Sequence, residues 1–337
     1  MRLRRPLLVG TAVLVVALLI GVTTGPAGLT ASAVLRDLLD VLPGVSVDSG
    51  LTPPQQAVLW QIRLPRVVLG AVVGASLALA GAAYQGVFRN PLADPYLLGV
   101  SSGAGLGATL ALVAGGSLGP FPVSLLAFLG GMAGVIATYA LGSSVGGGRS
   151  AVVIILAGVA VAAFANAAQT YVQQRYDDSL RSVYSWLLGR LSTDGWSDVI
   201  AVLPLVVIAA VVIVLHRRIL DVLAVGDLEA ATLGIAPDRT RLLLVVAATL
   251  GTAAVVSVSG LIGFVGLLIP HTVRLLFGVS YRVLVPVAAI FGAAFLVLTD
   301  VLARTVIAPA ELPIGVVTAV VGAPFFLLVL RRSRVAA

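Results

Sequence analysis

The chain carries charge only at intervals, and between the interruptions it stays uncharged for about the length of a membrane-crossing helix. Charge-free runs occupy Pro6–Val22, Val67–Phe88, Tyr96–Val113, Pro122–Leu141, Ala151–Val172, Ile200–Leu215, Leu242–Val258 and Leu312–Leu330. Two more, Leu261–Phe277 and Leu284–Ala303, are nearly charge-free. A bilayer core asks for about 20 apolar residues of helix and tolerates roughly 17, so the shorter runs extend into their polar flanks. Inside lipid a helix satisfies its own backbone, which makes a polytopic helical membrane protein the leading class. A large soluble core is the other home for apolar residues. Soluble domains carry about a quarter charged residues, however, and this chain carries 10%. The expectation is an all-α, polytopic membrane protein of about ten transmembrane helices, one domain over residues 1–337. Ser257, Ser259 and Gly260 mark where 242–277 divides into two helices.

The first run follows Arg2, Arg4 and Arg5 and has the layout of a signal peptide. The TTGPAG that follows offers no convincing cleavage site, so a retained first helix is expected. With the N-terminus in the cytoplasm, fourteen of the 21 basic residues fall inside, Arg2, Arg149 and Arg331 among them. The rule that cationic loops stay inside then places both termini in the cytoplasm, in agreement with an even number of spans. There is no cysteine and there are only two histidines, so neither a thiolate metal site nor a dedicated protein metal site is expected, and no cofactor. The formal charge of +7 would hint at nucleic acid in a soluble chain. Its placement beside apolar spans assigns it to topology instead, so the partner is the bilayer and not nucleic acid.

Between spans, LTPPQQAVLWQIRLPR at 51–66 is read as a short interfacial helix around Trp60. Trp186 and Trp196 are read as interface anchors. Gly70 and Gly74, Gly99, Gly103 and Gly107, and Gly130 and Gly134 are spaced four apart, as tightly packed membrane helices require. Gln85, strongly polar near the end of a span, is either a helix–helix hydrogen bond or a residue lining or gating a path. In RNPLADPYLLGVSSGAG, Pro91 and Pro95 stop regular helix, Asn90 turns the chain, and Gly99, Ser101, Ser102 and Gly103 open the next span. Structural re-entry is favoured there over a ligand site.

Pro270 precedes His271 and Arg274, which share a helix face near the cytoplasmic end and suit an interface. Asp300 within a span needs a partner, and Arg304 one turn later is the natural one. Arg63 and Arg66 either snorkel to headgroups or dock an acidic external partner, with Arg304 able to join them.

His216–Arg241 is the longest charged interlude in the second half of the chain, and counts as a cytoplasmic coupling loop within the membrane domain. In it, Gly226, Asp227 and Glu229 precede Ala230, Ala231, Thr232 and Leu233, and Gly234 ends the short helix. Its arginines are read as topology anchors. No GxxxxGK[ST] occurs anywhere. ATP-driven work therefore needs a nucleotide site on another chain.

Several blocks carry a family pattern: RLPR at 63–66, GASLALAGAAYQGVFRNPLADPYLLGVSSGAG at 74–105, WLLGRL at 186–191, GDLEAATLGI at 226–235, GLIGFVGLLIPHTVR at 260–274 and ELPIGVVTAVVGAPFF at 311–326. In this order they resemble the FecCD family of ABC-importer permeases, with the type II importer permease fold. The resemblance implies a bacterial cytoplasmic (inner) membrane subunit without its own catalysis. Its implied partners are a second permease subunit, two cytoplasmic ATPase subunits and an extracytoplasmic substrate-binding protein. The implied substrate is an iron-siderophore, with haem or cobalamin (vitamin B12) as alternatives. It implies further that GDLEAATLGI meets the ATPase and that Arg63, Arg66 and Arg304 meet the binding protein. The helices either side of Asp94, with Gln85, Asn90, Pro91, Gly99, Ser101 and Ser102, belong on this reading to the translocation wall. The rival of another class is an ion-coupled secondary transporter, for which Asp300 is the one acid within a span; an integral-membrane enzyme lacks a catalytic constellation.

Overall fold

A computed structural model describes residues 3–25, 28–41, 46–115, 122–144, 151–192 and 195–335. Arg2 and Arg149 of the orientation argument lie outside these residues. Among the described residues the secondary structure is helical throughout, in fifteen α-helices. They are α1 (Arg4–Thr23), α2 (Ala31–Asp40), α3 (Pro53–Val58), α4 (Leu64–Val87), α5 (Val100–Ala114), α6 (Val123–Ser144), α7 (Ala151–Arg175) and α8 (Leu180–Leu187). There follow α9 (Ser197–Leu215), α10 (Arg217–Val225), α11 (Asp227–Thr232), α12 (Pro237–Ser259), α13 (Val265–Phe277), α14 (Tyr281–Thr305) and α15 (Ile314–Val335). Seven helical segments are long and apolar enough to cross a membrane, and α5, α13 and Ile314–Leu327 of α15 are shorter apolar helices. Together they occupy the ten runs read from the sequence. The bundle has a loop end, where α10 and α11 lie, and an opposite, far end.

The core is organised around α4, whose residues are buried on nearly every side. It packs against α14, α12, α13 and α9. Such enclosure demands small residues where backbones meet. A Cβ on Gly81 would overlap the Gly266 carbonyl oxygen of α13, and one on Gly74 would overlap that of Gly292 in α14. α5 and α6 meet the same way, with Gly103 against Gly130 and Gly134 against Gly99. The four-residue glycine spacing therefore marks true close contacts. By contrast α1, α6, α7 and α9 keep most of their apolar surface outward, as a lipid-facing helix does.

The division of 242–277 falls where the sequence places it. α12 ends at Ser259, and 260–264 are irregular before α13 begins, with Gly260 at φ +67° and Phe264 at φ +67°. Irregular backbone at membrane depth has to find partners within the protein. The Tyr96 hydroxyl supplies two of them, accepting from the Ile262 N–H and donating to the Ile262 carbonyl, both at 3.1 Å. The Arg190 N–H donates to the Ser259 carbonyl at 2.8 Å, and the Gly315 N–H to that of Leu188 at 3.0 Å. The α8–α9 connection, the 260–264 break and the start of α15 are thus laced together.

Residues 51–66 depart from the expected separate interfacial helix. Thr52 and Gln55 form a capping box, Pro53 opens α3, and a π-helical turn at Leu59–Arg63 carries the chain straight into α4. Protein contacts hold it rather than the interface. The Trp60 indole donates to Asp37 of α2 at 2.8 Å, and the Trp196 indole donates to the Trp60 carbonyl at 2.9 Å. Trp186 is likewise no interface anchor: it is buried with Ala104, Ala108 and Val256.

Candidate functional site

At the loop end, α10 and α11 meet at Gly226, whose backbone is extended. A Cβ there would collide with the Glu229 carboxylate, so the bare backbone leaves Glu229 room over the first turn of α11. A carboxylate at that position is favoured by the unpaired N–H groups of a helix start. Gly234, at φ +77°, ends the turn, and the Ile235 N–H returns to the Ala230 carbonyl at 3.0 Å. Ala230 is buried, whereas Leu228 is 76% and Leu233 68% exposed.

This element is clamped to three membrane helices. Asp227 accepts from Arg89, just past α4, and from Arg241 in α12. Arg241, paired with Asp227, is therefore more than a topology anchor. The two guanidiniums hold the Asp227 carboxyl below the usual carboxylate range, the Arg241 hydrogen bonds contributing most. Arg89 stands at φ +50° and also donates to the Leu223 carbonyl at 2.6 Å. Asp221 in α10 caps the start of α14, accepting from the Tyr281 N–H at 2.6 Å and from the Ser280 hydroxyl at 2.9 Å. α10 and α11 are thereby tied to α12, to α14 and to the chain just past α4.

Next to it, the structure joins two groups that the sequence keeps apart. Gln85 is buried; its Nε2 donates to the Gly266 carbonyl at 3.3 Å, and its Oε1 accepts from Arg274 at 3.0 Å. It is a helix–helix hydrogen bond in this conformation. His271 packs edge-on against Phe325, ring centres 6.1 Å apart, with Pro270 buried beside it. The 89–105 stretch is a chain of local turns. Asn90 accepts from the Leu92 N–H, Asp94 caps a short 3-10 helix at Pro95–Leu98, and Gly99 at φ +80° turns into α5, where the Ser102 hydroxyl donates to the Gly99 carbonyl. Pro91 is exposed, and Ser101 is half-buried beside the buried Ser102.

At the far end the three arginines of interest do different work. Arg63 donates to the Val22 and Thr23 carbonyls at 3.2 and 3.4 Å, and Arg304 to the Gly21 carbonyl at 2.6 Å. Both are buried, 4% and 5% exposed. They cap the last turn of α1, where unpaired carbonyls favour cations. Docking an outside partner is not what they are placed for in this conformation. Arg66 instead spans two carboxylates: Asp300 at 2.8 Å, in the bundle, and Glu311 at 2.9 Å, near water. The hydrogen bond from Arg66 holds the Glu311 carboxyl below its ordinary range. Arg304 completes the Asp300 site at 3.3 Å.

The sequence reading missed Glu311 and Asp37. Asp37 accepts from Ser49, Gln56 and Trp60, each at 2.8 Å. Burial acts to raise the Asp37 carboxyl, but these donors outweigh it and hold it low. Its one signal is an acid on an amphipathic helix, which Asp40 shares. Among the described residues no cluster of histidine, cysteine and acidic side chains could hold a metal.

Comparison with known proteins finds relatives along most of the chain. Residues 13–332 match the model of the FecCD transport family. The cobalamin import system permease protein BtuC of Halobacterium salinarum is 44% identical over 288 residues, covering 86% of this chain and 77% of that protein. The Fe(3+) dicitrate transport system permease protein FecD of Escherichia coli K12 is 40% identical over 277 residues, covering 82% and 86%. An inward-facing structure described as a metal-chelate type ABC transporter superposes with a TM-score of 0.83 at 29% identity, covering 98% of this chain and 99% of the other.

Proposed function

The chain belongs to the FecCD transport family of membrane permeases, and we propose that it is the membrane-spanning subunit of an ATP-driven importer for an iron chelate. Haem and cobalamin are the alternative cargoes of the same mechanism. The observation that carries the coupling half of this reading is α11, an exposed apolar element pinned by Asp227 to α4 and α12. Leu228 and Leu233 offer a partner ATPase a small apolar face, and the sequence holds no P-loop of its own.

In this reading the loop end and both termini are cytoplasmic and the far end is external. A loaded binding protein docks at the far end, where Arg66 and Glu311 lie nearest water, while Arg63 and Arg304 hold α1 in place behind them. Nucleotide binding in two ATPase subunits shifts α10 and α11, and Arg89, Arg241 and Asp221 pass the shift to the spans. Two permease copies then alternate access to the space between them. The ATPase and the cargo are coupled only in so far as α11 is bound differently in the two access states.

The test is uptake into proteoliposomes with ATP in the lumen, the binding protein outside, and ion gradients collapsed by ionophores. Uptake that persists under these conditions supports the reading. Uptake that stops with the gradient, ATP still present, supports an ion-coupled transporter instead.

A further inference from the structure

A groove of about 320 Å³ runs between α6 and α12, away from both ends of the bundle already described. Each wall is a single stripe. On α6 it takes every third or fourth residue from Met132 to Ser143, and on α12 from Leu242 to Thr249. Ile136 and Ala140 on one wall, and Leu242 and Val246 on the other, are exposed, so the groove opens outward among apolar side chains. Its deep end is closed where the helices converge, a Cβ on Gly131 reaching Ala253 at 3.5 Å. Its other end lies at the loop end of the bundle, since Ser143 is next to last in α6 and Leu242 stands in the second turn of α12.

The length of the groove is informative. Met132 and Ser143 are eleven positions apart, about 16 Å along a helix axis. Half of a bilayer's hydrocarbon core is about 15 Å. The groove therefore spans one leaflet. Nothing on its floor asks for a polar guest at Thr249, whose hydroxyl is paired with that of buried Tyr84 at 2.7 Å.

Charge stands only beyond the mouth. Arg239 lies three residues before Leu242 and seven before Val246, on the same stripe of α12 and one turn nearer the loop end. Side chains on a helix lean toward its N-terminus, so this guanidinium extends past the apolar walls to headgroup level. It is exposed, as a headgroup ligand has to be, and among the described residues it forms no ion pair. The acid of that turn, Asp238, sits about 100° round the helix and lies 4.0 Å from Arg241, which Asp227 already holds. The start of α12 adds the positive end of a helix dipole.

We propose that the α6–α12 groove binds an anionic phospholipid of the leaflet at the loop end, one acyl chain lying along the groove and the headgroup phosphate on Arg239. A zwitterionic lipid brings its own cation to the phosphate, whereas an anionic one leaves the phosphate for the arginine. The site requires only that the bundle spans a bilayer; the orientation proposed above makes the leaflet the cytoplasmic one. A lipid held there braces α12 against α6 close to Arg241, the residue that ties α12 to α11.

The experiment uses the permease complex as purified, in nanodiscs of phosphatidylcholine containing a trace of phosphatidylglycerol with a photoreactive acyl chain, followed by peptide mapping. Label is expected to concentrate on 132–143 and 242–249, above the level on α1, α7 and α9, whose outward faces meet bulk lipid. Unlabelled phosphatidylglycerol should displace it about fivefold better than phosphatidylcholine, the share of one arginine at a membrane surface. Arg239→Gln should abolish that preference. Ala140→Trp and Val246→Trp fill the groove from opposite walls and should each remove the groove label while α1, α7 and α9 keep theirs. If one of them loses the monodisperse peak, the other carries the test. Groove label no stronger than elsewhere, equal displacement by the two lipids, or label that survives a well-folded tryptophan variant overturns the proposal. Loss of the ATPase from the Arg239→Gln complex would assign the arginine to that contact and overturn it as well. So would an unlabelled groove whose α6 cross-links to α6 of a second copy. No cargo or nucleotide enters the assay, so failure of ATP-driven uptake would sink the transport reading and leave the lipid site standing.

Discussion

Asp300 tests how this fold tolerates a carboxylate inside a membrane helix. Arg66 approaches it with three N–H···O contacts of 2.8, 3.0 and 3.2 Å, and reaches Glu311 with two of 2.9 Å. By hydrogen bonds alone the two acids look comparable. Exposure separates them, since the Asp300 side chain is 3% and that of Glu311 46% exposed. Breaking a buried pair costs about 3–5 kcal/mol because the remaining charge has lost its water and its partner. An exposed pair is worth about 0.2–1 kcal/mol. Asp300→Asn should therefore lower the free energy of unfolding by several times as much as Glu311→Gln, measured by denaturant titration in mixed micelles. The double variant Arg66→Met/Asp300→Leu should cost less than the sum of its single changes, because it leaves no orphaned charge from the pair. Equal costs at the two acids, or strict additivity in the cycle, would refute the claim that desolvation governs this site.

At the loop end, Leu228→Asp and Leu233→Asp should leave insertion intact and reduce co-purification of the ATPase; unchanged pull-down would remove α11 as the contact. Tyr96→Phe deprives both the Ile262 N–H and carbonyl of their partner, and should cost about 1–3 kcal/mol per orphaned group in the same titration. Gly81→Val should prevent stable folding, seen as loss of the monodisperse peak, because its side chain has the Gly266 backbone in the way. For Asp227, whose carboxyl is held low, the arginine clamp stabilises fully above the unfolded carboxylate value of about 3.9. It is lost only as pH falls through the still lower folded value. Hydrogen exchange across 226–235 should thus be protected equally at pH 7 and pH 5 after correction for intrinsic rates, and loosening between them would contradict the clamp.

Much of this architecture was legible because lipid imposes a one-dimensional signal. An uncharged run must be a helix, and every run read from the sequence is occupied by one, including the division at Ser259 and Gly260. The four-residue glycine spacing carried over for the same reason, since a side chain at Gly103 would strike the Gly130 backbone. What stayed hidden is pairing across long separations. Arg66 and Glu311 are 245 positions apart, and Arg89 and Asp227 are 138. No local periodicity links such residues. Helical spacing pairs Asp300 with Arg304, its neighbour one turn along, and that contact forms, but Arg66 makes the closer one. Trp60 and Trp186 mislead by a related route. A Trp between spans has an amphipathic ring suited to the interface, but the same polar tip also serves a buried acid, and Asp37 claimed it for Trp60.

Arg63 and Arg66 show why a motif does not fix the role of each of its members. They are three residues apart, yet Arg63 sits in the π-helical turn at Leu59–Arg63 and Arg66 in regular helix. The turn takes up an extra residue and changes the direction in which Arg63 leaves the helix, toward the carbonyls at the end of α1. Arg66 stays on the face shared with α14 and so meets Asp300. Straightening the turn by deleting one residue from 59–62 should therefore shift Arg63 off α1 while Arg66 and α4 keep their register. Proteolytic release of α1 would then increase, whereas the Asp300 cycle described above would keep its coupling. If the deletion abolished that coupling as well, the π-turn would be setting the register of α4 itself, and the separate roles assigned to the two arginines would fail.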